Sequence, residues 1–231
     1  MPDYSRTGDI ALKNQNTLRR FVGILGILLP FLVCLFLQLT NNFDLLLPSL
    51  SHYYFTRAGS IFEIVVSLLA IFLLIYKGEE FIDFILSVIA GVSALLMLIF
   101  PTGNLKGYNH STQYDDVAVT CFLQSDFRPK FHYGCAALFL LCLAAMALFL
   151  FTKSSHAPKF RTKNKKRRNR IYRVCGILML LALITAFLGF LGVIHDDFYE
   201  AHYLTFWMEF VAIESFGIAW MVKGELVFKD P

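Results

Sequence analysis

The chain has 231 residues, of which 57% are hydrophobic, 16% aromatic and only 16% charged, with 24 Phe and a positive mean hydropathy. A soluble domain of this length carries about a quarter charged residues, because it needs a solvated surface in proportion to its core. The composition is that of a membrane protein, and the formal charge of +4 sits mostly in one segment between two apolar runs, which argues against a nucleic-acid surface.

Six apolar stretches approach or reach the roughly 20 residues that cross a bilayer: about 21–40, 58–76, 81–100, 131–152, 171–194 and 198–222. They predict an all-α fold, a polytopic transmembrane bundle of six helices in one domain (21–222), between a polar leader (1–20) and a short tail (223–231). The leader is mixed in charge and reads as unstructured, ending in Arg19 and Arg20 at the headgroups. The first apolar stretch is too long for a signal-peptide core and no small-residue cleavage site follows it, so it is expected to be retained. Pro30 near its middle lacks an N–H and crowds the carbonyl of Gly26, which predicts a kink and a face packed against a neighbouring helix.

The next connection, NNFDLLLPSLSHYYFTRAGS, is too apolar for a plain solvated loop. LLLP and HYYF are expected in the membrane interface, where Tyr and His direct a ring to lipid and a polar tip to water. Lys77-Gly78-Glu79-Glu80 joins the second and third stretches as antiparallel neighbours, with Gly78 suited to a left-handed cap and the charges matched to the helix dipoles. Ser87 and Gly91, like Ala90 and Ala94, place small residues four apart on the third stretch, which admits a close neighbour. Pro101-Thr102-Gly103 opens a connection of about 30 residues that contains Asn109-His110-Ser111, a glycosylation acceptor only in a secretory pathway. Pro129 is placed to open the fourth helix, and the fourth and fifth stretches are rich in Ala and Gly.

Between the fourth and fifth stretches, KFRTKNKKRRNRIYR holds nine Lys and Arg in fifteen positions. Basic residues resist translocation. With loops assigned alternately, all but Arg57, Lys106, Arg128 and Lys130 of the 21 Lys and Arg fall on one side, so both termini are expected to be cytoplasmic. Lys163, Lys165, Lys166, Arg167, Arg168 and Arg170 are candidate contacts for anionic lipid headgroups, at about 1 kcal/mol per basic residue near the surface.

Candidate chemistry gathers on the outer side. His52, His110, His132, His195 and His202 map there with Asp115, Asp116, Asp126, Asp196, Asp197 and Glu200. His and carboxylate suit zinc or manganese, yet there is no HExxH and separate loops would have to converge, so His52, His132, His195 and His202 are metal candidates without a specific spacing. Asp197 and Glu200 also fit a capping box, which explains the acids structurally. His202 and Glu209 share a helical face and could pair. Glu214 lies about sixteen residues into the sixth stretch, near the midplane, where a charge costs at least ~2.5 kcal/mol. No Lys or Arg lies deep in a span to pair with it. It is therefore a carboxyl that binds a proton or ligand, or a neutral acid hydrogen-bonded to Thr185 or Ser93, with Glu63 a weaker case. Of the five Cys, Cys121 and Cys135 face outward, and a disulfide between them would constrain the long connection by up to ~3 kcal/mol.

HYYFTRAG, KRRNRIYRVCG and ESFGIAWMVKGE resemble an uncharacterised family of bacterial multi-pass integral membrane proteins with about six spans, over most of the chain from about residue 25. A more distant likeness is to six-helix DRAM-type membrane proteins. The resemblance implies a bacterial inner (cell) membrane and the six-span architecture, and carries over no catalytic residue. The leading expectation is non-enzymatic binding of a lipid, a hydrophobic ligand or a membrane partner, a second copy included, with no cofactor and no nucleic acid. Alternatives are a proton-coupled transporter using Glu214 and a metal-dependent hydrolase with an outer His/acid site.

Overall fold

The computed structural model of the protein describes residues 4–41, 46–78, 80–108, 113–154 and 160–229, with side chains from Gln15 onward. Asn109-His110-Ser111, Glu79 and the start of the basic segment lie outside them. The helices are α1 (Tyr4–Asn41), α2 (Gly59–Ile75), α3 (Phe81–Ile99), α4 (Phe127–Ala145, continued by a π turn over Met146–Leu150), α5 (Lys163–Phe190), α6 (Asp196–Ala201) and α7 (Leu204–Lys223). A 3-10 segment, Leu50–Phe55, leads into α2. Among the described residues there is no strand, only an isolated antiparallel bridge between Thr56 and Ala118. Five helices are long and apolar enough to cross a membrane: α1 from Gln15, α3, α4 with its π turn, α5 and α7. α2 is equally apolar but only 17 residues long.

Each long helix packs on the next in sequence, α1 through α5, then α5 on α7, and α7 returns to α1 to close a ring. Neighbours in sequence thus lie side by side, closest in chain at the short turn between α2 and α3. Gly78 turns the chain at φ +65°, and a capping box between Glu80 and Asp83 starts α3. Gly91 then lies so close to α2 that a Cβ would sit 2.8 Å from the Ala70 carbonyl oxygen. The last seam is closed by glycine too. A Cβ on Gly23 of α1 would meet the Gly217 carbonyl oxygen at 2.7 Å, and one on Gly217 would meet that of Gly23 at 2.8 Å. Gly26 and Pro30 are buried on the same seam, Gly26 beneath the Phe216 ring, as expected for the face that Pro30 disrupts.

The ring is filled by aromatic side chains. Trp220 meets Tyr76, just past the end of α2, at 4.9 Å and Phe151 at 5.5 Å between centroids, and Phe216 packs between Trp220 and Phe139 of α4. Outward positions are apolar: Phe31, Ile71, Leu141, Leu181 and Ile184 are all exposed. That surface suits lipid, not water.

The two ends differ. At the basic end, Arg20 donates to the Gly224 carbonyl, Arg19 reaches the Tyr76 hydroxyl, Lys153 pairs with Glu80 at 2.5 Å, and Arg168 pairs with Glu225. At the distal end, the 3-10 segment and the α3–α4 connection fold over the ring. Val119 donates to the Phe55 carbonyl, and Asn104 brackets Phe122 with both amide atoms.

Four sequence expectations change. The leader is helical from Tyr4 and continuous with α1. The basic segment is not a loop from Lys163 onward but the first turns of α5, capped by Thr162, whose hydroxyl accepts from Lys165 N–H. The 198–222 stretch breaks at Tyr203, which has φ +50°, because α6 lies across the end of α5 with Tyr199 over Gly189. Finally, Leu47, Leu50, His52, Tyr53 and Phe55 are buried within the distal end and do not face an interface. Pro129 falls in the first turn of α4, two residues after its start.

Gly217→Val is expected to force α7 from α1 and lower stability by about 1–3 kcal/mol. Gly134→Ala, where nothing lies within 4 Å of the added Cβ, should be neutral or slightly stabilising. Thermal unfolding in detergent compares the two.

Candidate functional site

The distal end brings together polar residues from four elements. Ser49 ends the approach to the 3-10 segment, and its hydroxyl contacts His52 Nδ1 at 2.7 Å. The first N–H groups of that short helix have no partner within it. Glu209, in the second turn of α7, supplies one: its carboxyl accepts from Leu50 N–H at 2.6 Å.

His132, one turn into α4, occupies the other side of Ser51. Its Nε2 lies 3.1 Å from Ser51 Oγ, and its Nδ1 lies 3.0 Å from the Phe100 carbonyl oxygen and 3.2 Å from that of Met97. The imidazole therefore caps the C-terminal end of α3, where carbonyls lack helical partners. It is 2% exposed. His52 lies beside it, 4% exposed, edge-on to Tyr108 at 5.2 Å, with Nε2 buried and unpartnered among the described residues. Burial, then the nearby His132, pushes the His52 imidazole down to about 3, so it is neutral at ordinary pH.

The other sequence candidates are elsewhere. His195 and His202 are exposed on and beside α6, and His202 Nδ1 donates to the Phe198 carbonyl at 2.8 Å. The pairing of His202 with Glu209 does not form, because Glu209 turns into the ring toward Leu50 and Ser51. Nor do Asp197 and Glu200 make a capping box: the N-cap residue of α6 is His195, with no side-chain cap bond. Among the described residues no three His, Cys, Asp or Glu come together as a metal site, and both ring nitrogens of His132 are engaged by protein. Asp115 is used locally, accepting from Gly107 N–H. Cys121 and Cys135 are both free, the first exposed in the connection and the second buried in α4.

Glu214 points to the α1 seam. It shares a helical stripe with Phe210, which meets Phe31 at 5.5 Å, and with Gly217 and Met221, which meet Gly23. Its Oε1 is buried and has no hydrogen-bond partner among the described residues, so the expected bonds to Thr185 or Ser93 are not made. Glu63 is exposed near the start of α2.

On α5, Lys163, Lys166, Arg167, Arg170 and Arg173 are exposed at helical spacing, forming one stripe. It runs directly into the exposed apolar stripe of Val174, Ile177, Leu181 and Ile184. Arg168 leaves the candidate headgroup set: it is 6% exposed, bound to Glu225 and to the Phe228 carbonyl. Lys165 is half-buried and donates to the Phe151 carbonyl. Both line a polar pocket of about 150 Å³ with Arg19 and Lys223 at the basic end.

The role of Ser51 was missed in the sequence, although its position in PSLSHYYF, two residues after one Ser and beside His52, was visible. No family model, no curated protein and no solved structure matches the chain.

His132→Ala strips a partner from Ser51 and from the end of α3. It is expected to cost about 1–3 kcal/mol for buried groups left unpaired. His202→Ala, at an exposed site, should stay within about 0.5 kcal/mol. Chemical unfolding followed by Trp fluorescence separates them.

Proposed function

We propose that the protein is a six-span integral membrane protein, with both termini and the basic stripe on the cytoplasmic side, that binds a lipid, hydrophobic ligand or membrane partner through its outer half without catalysing a reaction. The carrying observation is that the groups best suited to chemistry are taken up by structure, Ser51 and His132 bound to each other, His132 also to the end of α3, and Glu209 to the Leu50 N–H, and so hold the outer cap in place. Around them Val119, Leu123, Phe127, Phe198 and Trp207 are exposed apolar side chains at the outer end. Exposed apolar side chains of that kind suit an acyl chain or another membrane helix.

A sixth span is supported by α2, which connects the outer cap to Tyr76 at the basic end in 17 residues. At 1.5 Å per residue this is about 25 Å, which a slightly thinned bilayer accommodates. The stripe supports this orientation: five exposed basic residues continue the exposed apolar stripe of α5, an arrangement that would hold a helix end on the cytoplasmic side and attract anionic lipid.

Protein extracted in mild detergent should retain stoichiometric lipid or another hydrophobic molecule in native mass spectra. Changing Lys163, Lys166, Arg167 and Arg170 together to Gln should weaken retention of phosphatidylglycerol by about 1 kcal/mol per residue while leaving phosphatidylethanolamine unaffected. A stoichiometric metal, found by plasma mass spectrometry and lost in His132→Ala, would instead move the reading to a metal-dependent hydrolase.

A second reading is favoured by Glu214, whose buried Oε1 lacks a partner at the α1 seam. An acid held so in a span is a candidate proton carrier in a coupled transporter. Glu214→Gln should then abolish proton flux driven by an imposed pH gradient across proteoliposomes, with the unfolding temperature unchanged. Equal flux in both proteins would remove the transporter reading.

A further inference from the structure

Three helices meet at the basic end, because α7 packs on both α1 and α5. On α5, Lys165, Arg168 and Tyr172 follow one another at intervals of three and four residues and so share a face, and Asn16 and Arg19 do the same on α1. Lys223 in the last turn of α7 and Glu225 just past it complete the wall of a cavity of about 150 Å³. Arg19, Arg168 and Tyr172 are buried and form its floor, while Lys165, Lys223 and Glu225 are half-buried at its rim.

The charges on that wall do not balance: four cations, Arg19, Lys165, Arg168 and Lys223, stand against the single carboxylate of Glu225. Arg168 Nη1 lies 3.4 Å from Glu225 Oε1 and donates to the Phe228 carbonyl at 3.1 Å. Arg20 donates to the carbonyls of Gly224 and Glu225 and so fixes the turn in which Glu225 has φ +54°. Arg19 donates to the Asn16 side chain and the Tyr76 hydroxyl, and Lys165 to the Phe151 carbonyl. These bonds aim the cations and do not consume them, since a guanidinium carries five N–H groups and an ammonium three. Like charges gathered where water is partly excluded repel one another, and an anion among them relieves that cost. Lys165 also lies in the first turn of α5, the positive end of that helix dipole. With a water's share of liquid near 30 Å³, the cavity has room for about five waters or for one tetrahedral oxyanion.

We propose that this cavity binds a phosphate monoester group, presented by a soluble phosphate compound or by the headgroup of phosphatidic acid. Near neutrality a monoester carries a charge of about −1.5 to −2, more than a diester, and so answers more of the excess on the wall. Arg19 and Arg168 offer planar N–H forks that match phosphate oxygens, and Lys165 and Lys223 place point charges at the mouth. Glu225 steadies Arg168 and, by its own charge, limits the affinity. Arg168, drawn away from the surface by its bonds to the turn after α7, thus serves inside the cavity. The site goes beyond the outer-half binding proposed above and uses none of Lys163, Lys166, Arg167 and Arg170 of the exposed stripe.

The test titrates inorganic phosphate calorimetrically into the full-length protein in phosphatidylcholine nanodiscs, in buffer free of phosphate and sulfate. In parallel, native mass spectra from mild detergent compare phosphatidic acid with phosphatidylglycerol at equal concentration. One phosphate per chain, one phosphatidic acid per chain, or both, is expected. Phosphate alone marks a soluble ligand, and phosphatidic acid alone, held more tightly than phosphatidylglycerol, marks a lipid. Lys165→Gln and Lys223→Gln, at the half-buried rim, should each weaken binding by roughly tenfold, the worth of a hydrogen bond to a charged group. Glu225→Gln should tighten it by roughly three- to tenfold, because the competing charge is gone. Changing Lys163, Lys166, Arg167 and Arg170 together to Gln should leave it unaltered, which keeps a failure of the cavity distinct from a failure of the stripe. Arg168→Gln should abolish binding, and if that variant does not fold, the two lysine variants decide. Failure of both ligands to saturate at one per chain, a lipid site that holds phosphatidylglycerol as tightly as phosphatidic acid, or full binding in both lysine variants overturns the proposal.

Discussion

The approach of α7 to α1 at Gly217, Gly23 and Gly26 is the contact on which the rest of the ring depends. Every other seam joins neighbours in sequence through a connection that keeps them together, but this one joins the first long helix to the last. In lipid there is no hydrophobic force between helices, so close backbone packing must supply the attraction. Glycine on both sides permits it. Once α7 is seated, Phe216 and Trp220 enter the ring and meet Phe139, Tyr76 and Phe151, so that one helix both closes the ring and fills it.

Seating α7 also places Glu209 under the distal cap. A 3-10 helix presents unpaired N–H groups at its start, and burying them without partners is costly. The Glu209 carboxyl takes that of Leu50, while His132 takes the carbonyls at the end of α3. Ser51 joins His132 to the 3-10 segment. Glu209 and His132 are thus explained as partners for backbone groups that water cannot reach.

Most of the helices were legible in the sequence because apolar length and periodicity report burial in lipid directly. The turn at Gly78 and the small residues Ser87, Ala90, Gly91 and Ala94 are where their chemistry placed them, all four of the latter buried on α3. What composition concealed was long-range pairing. HYYF has interface-like residues, yet Glu209, more than 150 positions away, makes it a buried cap. The break at Tyr203 was hidden for a similar reason, since the apolar run continues through it and only the docking of Tyr199 over Gly189 turns α6 aside. The basic segment read as a loop because charge masks helical spacing, and the side chains of Arg168 and Asn169 point inward against the pattern of their neighbours.

Glu209 and Glu214 show how far the surroundings, not the residue type, determine what a membrane carboxyl can do. Five residues apart, they are about 140° apart around α7. Glu209 turns to the cap and accepts from the Leu50 N–H, while Glu214 turns to the α1 seam, where Oε1 has no partner among the described residues. A carboxyl bound to buried backbone N–H donors is held in one orientation, and its loss disturbs the fold. A carboxyl lacking them can change partner or protonation with little structural consequence. The first property is that of a fixed site within the cap, and the second is that of a group free to exchange with whatever reaches the seam.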